Sequence, residues 1–457
     1  MIPVINIAAI GRLLKLGVAF LVSLSLHTQT VKAQEEADPY TDEPSLFPDD
    51  VLSEGYEPET YWHTGLNNFG LTGSLRTGFW SSNRLNDKEQ DIGTGSIWLK
   101  LDKRIMSGVS VYAEGYVRDQ NLFGTSEEFD RIKEMYVHVR KGDWDYRVGR
   151  QIIAWGRTDR LNPTDNLTPR DFTLMSPEID EDRFGTEAIK ISRVLGMYSS
   201  LTGIWIPNFR PNELPPANVA GLQFSEVEPG GSNQYALKFD RSGSDIDWSL
   251  SYFTGFDLNA DLAIVGQSGT DVLVQKQYNR VKIMGADLAT IVGANRYALE
   301  VAYTRSEDES GIDPLTKNSF FHSVLGIERD FGNNLSGIMQ LFYRYVEDHQ
   351  DPRVLANAGQ RAVASLNALA NHQLDEEEYG LNIRIGKKWW NETLEGELSG
   401  STLLERHGSL IRPKLTYSIS DHLKATVGGE YFDGGPDTLF GLQKNNRTFF
   451  SEIRYFF

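Results

Sequence analysis

The sequence predicts an all-β protein, a transmembrane antiparallel β-barrel of about 18 strands with a long inward-folding loop, 16 being the neighbouring even count. Three observations carry this. Strand-sized segments that alternate apolar and polar residues recur through nearly the whole chain. The links between them alternate between short turns and long polar loops, the asymmetry of a barrel with short periplasmic turns and longer external loops. Beyond residue 26 no stretch is apolar enough to cross a bilayer as a helix.

At the amino terminus Arg12 and Lys15 precede an apolar run over 16–26, and Val31-Lys32-Ala33 closes the polar stretch that follows. A charged start, a short apolar core and a small-residue site spell a secretory signal peptide over 1–33, cleaved near Ala33. The expectation is export through the inner membrane of a Gram-negative bacterium and residence in the outer membrane. The chain has no cysteine. Disulfides, zinc–thiolate sites, iron–sulfur clusters and thiol nucleophiles are thereby excluded, and bacterial export fits better than a disulfide-stapled secreted fold. Residues 34–65, with EEADPYTDEPSLFPDD, are acidic, proline-bearing and without period. They read as a periplasmic arm lacking a packed core; the alternative is a segment tucked into the barrel mouth. The barrel then occupies 66–457.

The strands follow from period-two alternation. In GVSVYAEGYVRDQ, 108–120, Val109, Val111, Ala113 and Val117 share one face against Ser110, Tyr112, Glu114, Tyr116 and Arg118. NRYALEVAYTR, 295–305, sets Tyr297, Leu299, Val301 and Tyr303 against Ala298, Glu300 and Thr304, and DHLKATVGGEYF, 421–432, repeats the pattern. Strand starts are expected near residues 69, 92, 108, 130, 144, 185, 197, 232, 245, 276, 294, 318, 335, 377, 391, 408, 421 and 446. Every second link is short: KRIMSG, KGD, VLG, RSGSD, VGAN, DFGNN, KKWWNE and ISD. The register of 129–141 is ambiguous, both parities being half apolar. The chain ends TFFSEIRYFF, an alternating strand with an aromatic carboxy-terminus, similar to the assembly signal of bacterial outer-membrane barrels.

One segment breaks the alternation. WGRTDRLNPTDNLTPRD, 155–171, is stiff and charged, and lies in the link 152–184 between the fifth and sixth strands. Thr168-Pro169-Arg170-Asp171 has the form of a helix start, repeated at Ser176-Pro177-Glu178. Asn162 before Pro163 is held extended, and Asp165-Asn166 favours a turn. Long loops with structure of their own are usually functional, so this one is expected to fold into the lumen. Its constriction residues would be Arg157, Asp159, Arg160, Asp165, Arg170, Asp171 and Arg183; the bland alternative is a rigid cap over the rim.

The stretch GRQIIAWGRTDRLNPTDNLTPR, 149–170, resembles a motif of poorly characterised proteobacterial outer-membrane barrels, porin-like proteins distantly similar to the alginate-export porins. The motif falls on Gly149, Gln151, Trp155, Gly156, Asn162, Pro163, Asp165 and Arg170. The resemblance implies a large single-chain barrel. The arginine-rich signature of the alginate exporters is not found.

Parity assigns Arg118, Arg147, Lys190, Lys238, Arg344, Arg384, Arg412, Lys414 and Lys424 to the lumen, with Arg280, Lys282 and Arg454 on the same polar faces. The acids there are Glu114, Glu300, Glu395, Glu397, Glu430 and Glu452, giving about two cations per acid by register. The chain as a whole carries a formal charge of −18, so the excess acid belongs to loops such as SEDESGID, DEEE and the arm. A basic lumen in a low-dielectric wall would favour anions; Arg–Glu ladders between neighbouring strands would instead cancel it.

No catalytic chemistry emerges. The eight histidines are scattered without H-E-x-x-H, and only His138 and His322 fall on strands with lumen parity. Asp257, Asn259 and Asp261 have calcium-loop spacing, but Leu262 stands where glycine is needed, so a solvated external loop is expected. No metal site, cofactor, nucleic-acid patch or plug domain is read. The expected function is a non-enzymatic channel for small or polymeric, acidic solutes, in contact with outer-membrane lipid. The alternative is a barrel serving an envelope export or transfer complex with a periplasmic partner.

Overall fold

The computed structural model describes residues 69–82, 91–124, 128–215, 219–227, 233–243 and 245–457. The expected signal peptide and acidic arm lie outside the described residues. In chain order the strands are β1 (Leu71–Ser82), β2 (Asp91–Met106), β3 (Val109–Asp119), β4 (Glu128–Lys141), β5 (Trp144–Gln151), β6 (Thr186–Val194), β7 (Ser199–Ile206), β8 (Leu222–Glu226), β9 (Gln234–Arg241), β10 (Ile246–Phe256) and β11 (Asp261–Ser268). They continue with β12 (Asp271–Gln277), β13 (Arg280–Val292), β14 (Asn295–Arg305), β15 (Phe320–Asp330), β16 (Leu335–Val346), β17 (Glu377–Trp389), β18 (Leu394–Leu403), β19 (Gly408–Ser420), β20 (Leu423–Gly434) and β21 (Thr448–Phe456). All but β8, β11 and β12 form one 18-stranded antiparallel sheet, which closes where β21 pairs with β1 from Ser82↔Thr448 to Ser74↔Phe456. Closure leaves no free edge, the condition for a sheet in hydrocarbon.

The alternation in the sequence becomes an outside and an inside. On β14, Leu299 and Val301 are exposed outward while Ala298, Glu300, Ala302 and Thr304 are buried inward. The same outward apolar band runs over Met339 and Leu341 of β16, Ile383 and Ile385 of β17, and Ile411 and Leu415 of β19. The ambiguous stretch on β4 has a physical cause. A β-bulge at Lys133, between the pairs Gly115↔Ile132 and Glu114↔Glu134, resets parity within the strand. Arg131 faces in before it, Glu134 and His138 after it.

Arg280 and Lys282, expected in the lumen, instead share the outward face of β13 with Met284. Val281, Ile283 and Asp287 are the buried, inward residues. Both cations stand at the long-loop end of the strand, where an outward charge costs little against lipid headgroups.

β8, β11 and β12 were not anticipated. They are 5 to 8 residues long and stand outside the barrel in a separate sheet, β11–β12–β8, among the long loops. Leu262 and Val274 pack there against Val363 of helix α1 (Ala358–Ala370), with Phe224, Leu315 and Leu366 around them. Asn357 caps α1 by accepting from the Gln360 N–H. The stretch 257–261 is therefore not a solvated loop: Asp261 is buried, and the buried Lys317 lies 2.9 Å from Asp257 and 3.9 Å from Asp261, with the Asn371 amide oxygen accepting from it. Burial pushes the Asp261 carboxyl up from the ordinary carboxylate range, against the pull of Lys317. Among the described residues no cluster suited to a metal ion occurs; the lysine holds the acids together.

Removing that lysine leaves a buried acid unpaired, worth about 3–5 kcal/mol locally. Lys317→Ala should expose the α1 segment to limited proteolysis while the barrel keeps its heat-resistant gel mobility. Unchanged cleavage kinetics would contradict this account of the cap.

Candidate functional site: a loop bound across the lumen

The residues from 152 to 184 leave the end of β5 and turn into the barrel. Gly149 has φ +131°, and a Cβ there would meet the Met135 carbonyl oxygen at 2.3 Å. Gln151, fully buried, donates through Nε2 to the Ala188 carbonyl. The Thr168 hydroxyl accepts from the Ile153 N–H (2.8 Å) and donates to its carbonyl (2.9 Å), tying the two arms of the loop together. That use of Thr168 replaces the expected helix start: Arg170 instead bridges to Arg183 in extended form. The second signal does give a single 3-10 turn, Ile179–Asp182. Asp165 accepts from the Trp155 N–H and pairs with Arg183 at 2.5 Å, Asn162 donates to the Trp155 carbonyl, and Arg170 pairs with Asp182 at 3.0 Å.

One side of the loop is apolar. Ile153, Trp155 and Leu167 pack on inward residues of β6, β7, β9, β10, β13 and β14: Ala188, Ile204, Ile206, Ala236, Phe253, Val281, Ile283 and Ala302. Small wall residues make the room. A Cβ on Gly285 would lie 2.8 Å from Thr164. Within this wall stands a fully buried carboxylate, Glu300. It accepts from the N–H of Arg157 (2.5 Å) and Thr158 (2.6 Å) and from the hydroxyls of Thr158 (2.7 Å) and Thr164 (3.0 Å). Gly156, φ +107°, permits this approach, because a Cβ would sit 2.6 Å from a Glu300 oxygen.

The other contacts are charged and reach round the barrel. Loop cations meet wall acids: Arg157 lies 2.7 Å from Asp287 and 2.9 Å from Asp240, and Arg160 3.0 Å from Glu397. Loop acids meet wall cations: Asp159 with Arg384 at 3.3 Å, Asp171 with Arg118 at 3.5 Å and Arg131 at 3.6 Å, Glu178 with Lys414 at 2.8 Å, and Glu181 with Arg76 at 2.7 Å and Arg454 at 3.0 Å. Arg412 donates to the Pro177 carbonyl (2.7 Å). A segment of this length that bonds to β1, β3, β9, β13, β14, β17, β18, β19 and β21 of one closed barrel runs inside it.

The expected constriction residues thus divide. Asp165, Arg170 and Arg183 fold the loop on itself, while Arg157, Asp159, Arg160 and Asp171 join it to the wall. Asp159 and Arg160, with Arg384 and Glu397, keep between 12 and 31 % of their side-chain surface exposed at the tip, whereas Asp171 keeps 2 %. Of the expected lumen cations, Arg118, Arg384, Arg412 and Lys414 hold the loop. Lys238 pairs with Asp240 at 3.4 Å and lies over the Trp155 ring. Arg344 donates to the Asn371 carbonyl at the long-loop end. Arg147 lies over the Tyr136 ring and Lys424 over Phe456. Lys190 faces inward on β6, opposite Arg147. His138 meets Asp145, and His322 meets Arg344, so each has a bonded partner in the wall. Arg76, Arg131 and Asp240 were missed: Asp240 lies near the end of β9 and Arg131 just before the bulge, whereas Arg76 stands in the middle of β1.

Acid should act unequally on the two ends of the loop. Burial lifts the Asp159 carboxyl above the ordinary range, Arg384 and Arg160 opposing it. Burial also works against ionisation of Glu181, but Arg76 and Arg454 outweigh it and hold that carboxyl at about 2. A depressed acid stabilises the fold above its unfolded pKa, about 4.3, and loses that contribution as pH falls towards 2. The Glu181 clamp should therefore persist at pH 5 and fail between about 4 and 2, read as protease access to 172–184; Glu181→Gln should abolish the pH dependence. Glu300→Ala removes the acceptor of four hydrogen bonds. The loop should lose about 3 kcal/mol or more of local stability, seen as faster tryptic cleavage at Arg157 and Arg160 with the barrel intact.

Residues 130–451 match a family described as a protein of unknown function, DUF1302. No curated protein matches the sequence. Among solved structures the fold is similar to OccK5 (OpdH) of Pseudomonas aeruginosa, with 10 % identity, a TM-score of 0.51, and 84 % of this chain and 97 % of that one covered. OccD3 (OpdP) of the same organism has 9 % identity and TM-score 0.51 over 85 % and 91 %. OccAB3 of Acinetobacter baumannii has 10 % identity and TM-score 0.52 over 85 % and 98 %. At these identities the likeness is one of fold, the closed barrel of outer-membrane porins.

Proposed function

The chain belongs to that family of unknown function, and we propose that it is a passive outer-membrane channel whose passage is set by the 152–184 loop. The observation that carries this reading is the loop itself, bonded to opposite walls of a closed barrel. Passage runs beside the half-exposed tip, where Asp159 and Arg160 of the loop are bonded to Arg384 of β17 and Glu397 of β18, and the buried pairs at Arg157, Asp171 and Glu181 are struts. Solutes of small cross-section, single or threaded as a polymer, meet two arginines and two carboxylates there. Selectivity in such a passage follows its charged ring. The tip is near balance, so the preference is small; Arg147, Lys190 and Lys424 face inward on the short-turn side of the loop and favour anions there, with Glu134 and Asp145 beside Arg147 reducing the effect.

Single-channel conductance in a planar bilayer, with reversal potential under a potassium chloride gradient, tests this. An open channel modestly selective for chloride is expected. Deleting 158–182 should raise conductance, and Arg160→Glu with Arg384→Glu should turn the preference to cations. A barrel closed in both full-length and deleted forms would overturn the channel reading and favour a barrel that works only with a periplasmic partner, the acidic arm being the natural contact.

A further inference from the structure

The inner face of this barrel is filled by the loop, but the outer face carries one feature an ordinary barrel wall lacks. Between β19 and β20 the ladder pairs Ile411 with Tyr431 and resumes only at Lys414 with Gly428. Pro413 has no N–H to give, and proline in the middle of a sheet removes a ladder bond. Opposite it stands Gly429, with no side chain. Parity points both residues outward, since Arg412 and Glu430 beside them pair inside at 2.9 Å. The result is a shallow, open outward groove of about 420 Å³ over Ser81, Pro413 and Gly429, flanked by Tyr431, Phe449 and Arg447, with Thr448 and Glu430, the latter paired inward with Arg412, completing its lining.

Its position limits the occupant. β1 and β21 end at this level, Ser82 opposite Thr448, so the groove sits at the long-loop end of the wall, external in this topology. It is continuous with the exposed apolar band of Ile411, Leu415, Val427, Tyr431, Phe449 and Ile453, the surface that faces acyl chains. At its rim the Arg447 guanidinium lies 4.1 Å over the Tyr431 ring and donates to its hydroxyl at 2.9 Å. The neighbouring acid, Asp433, is engaged by Lys444 at 2.8 Å.

We propose that this groove binds one phosphorylated lipid of the outer leaflet, an acyl chain lying over Pro413 and Gly429 and a phosphate meeting Arg447. The site is separate from the channel and does not depend on conduction. Gly429 and Ser81 leave the bed of the chain open, and at Gly429 a Cβ would also lie 2.9 Å from the Thr448 carbonyl oxygen.

The test is a titration of the refolded full-length protein with lipid A, a bis-phosphorylated multi-acyl lipid, followed by native mass spectrometry. Gly429→Trp and Ser81→Trp fill the groove from two different strands, and Arg447→Glu reverses the rim charge. Heat-modifiable gel mobility reports that each barrel is folded. One lipid A should bind tightly to the parent, and each of the three variants should weaken it by about tenfold or more, while a neutral monoacylglycerol should respond to the tryptophans and not to Arg447→Glu. Equal lipid A affinity for the parent and either folded tryptophan variant would overturn the proposal.

Discussion

The interior rests on one buried carboxylate. Glu300 is a fully buried carboxyl inside a barrel wall, which would be costly if its oxygens were unsatisfied. Four donors from the loop satisfy them, two of them backbone N–H groups that could reach it only past a glycine. The dependence is mutual. The loop's turn at 156–158 has buried N–H groups needing an acceptor, and the wall has an acceptor needing donors. Each side thus satisfies the other at this point, and the loop is anchored to the wall of the closed barrel.

The rest of the loop follows a rule of exchange. Where the loop presents arginine, the wall presents acid, at Asp287, Asp240 and Glu397; where the loop presents acid, the wall presents Arg76, Arg118, Arg384, Lys414 and Arg454. Buried ion pairs contribute little net stability compared with apolar packing, because desolvation offsets attraction, but losing one partner is costly. Their value here is positional: each pair fixes one point of the loop against one strand. The apolar contact of Trp155 and Ile153 on β6 to β14 supplies the adhesion, and the charges set the placement. This also alters the electrostatics of the lumen, because cations engaged by loop acids no longer present an open basic surface.

Much of this was legible in the sequence. All 18 barrel strands begin within a few residues of the positions that alternation indicates, because a strand between lipid and lumen has two chemically opposed faces and its period cannot drift. The failures have local causes. The Lys133 bulge inverted parity in the middle of β4, which periodicity averages away. Arg280 and Lys282 looked like lumen residues because outward cations at a strand end are tolerated. β11, DLAIVGQS, is an apolar run rather than an alternation, and DVLVQKQYNRVKI has no Gly or Pro between β12 and β13, so only the spanning strand near 276 is legible there. In the loop, the residues of the motif were legible as a group but not their partners. Gly156 beside a buried acid 144 residues away, or Asp240 beside Arg157, is a tertiary pairing with no local trace.

The distribution of stiffness along the loop bears on how such a barrel conducts. The base of the loop is apolar and triply tied, at Thr168–Ile153, Asp165–Arg183 and Glu300, while the far turn is held by Glu181 between two arginines whose charges hold it ionised far into the acid range. The tip at Asp159–Arg160 combines partly exposed charge with an acid whose burial raises its affinity for protons. Arg160 itself adopts φ +49°, a left-handed turn that swings the chain from the β13–β14 wall toward β17 and β18. A loop rigid at both ends and solvated at one corner has one place where its distance from the wall can vary, and that corner carries the charges a passing solute would meet. On the proposed channel reading, width and selectivity would both rest on these same four side chains.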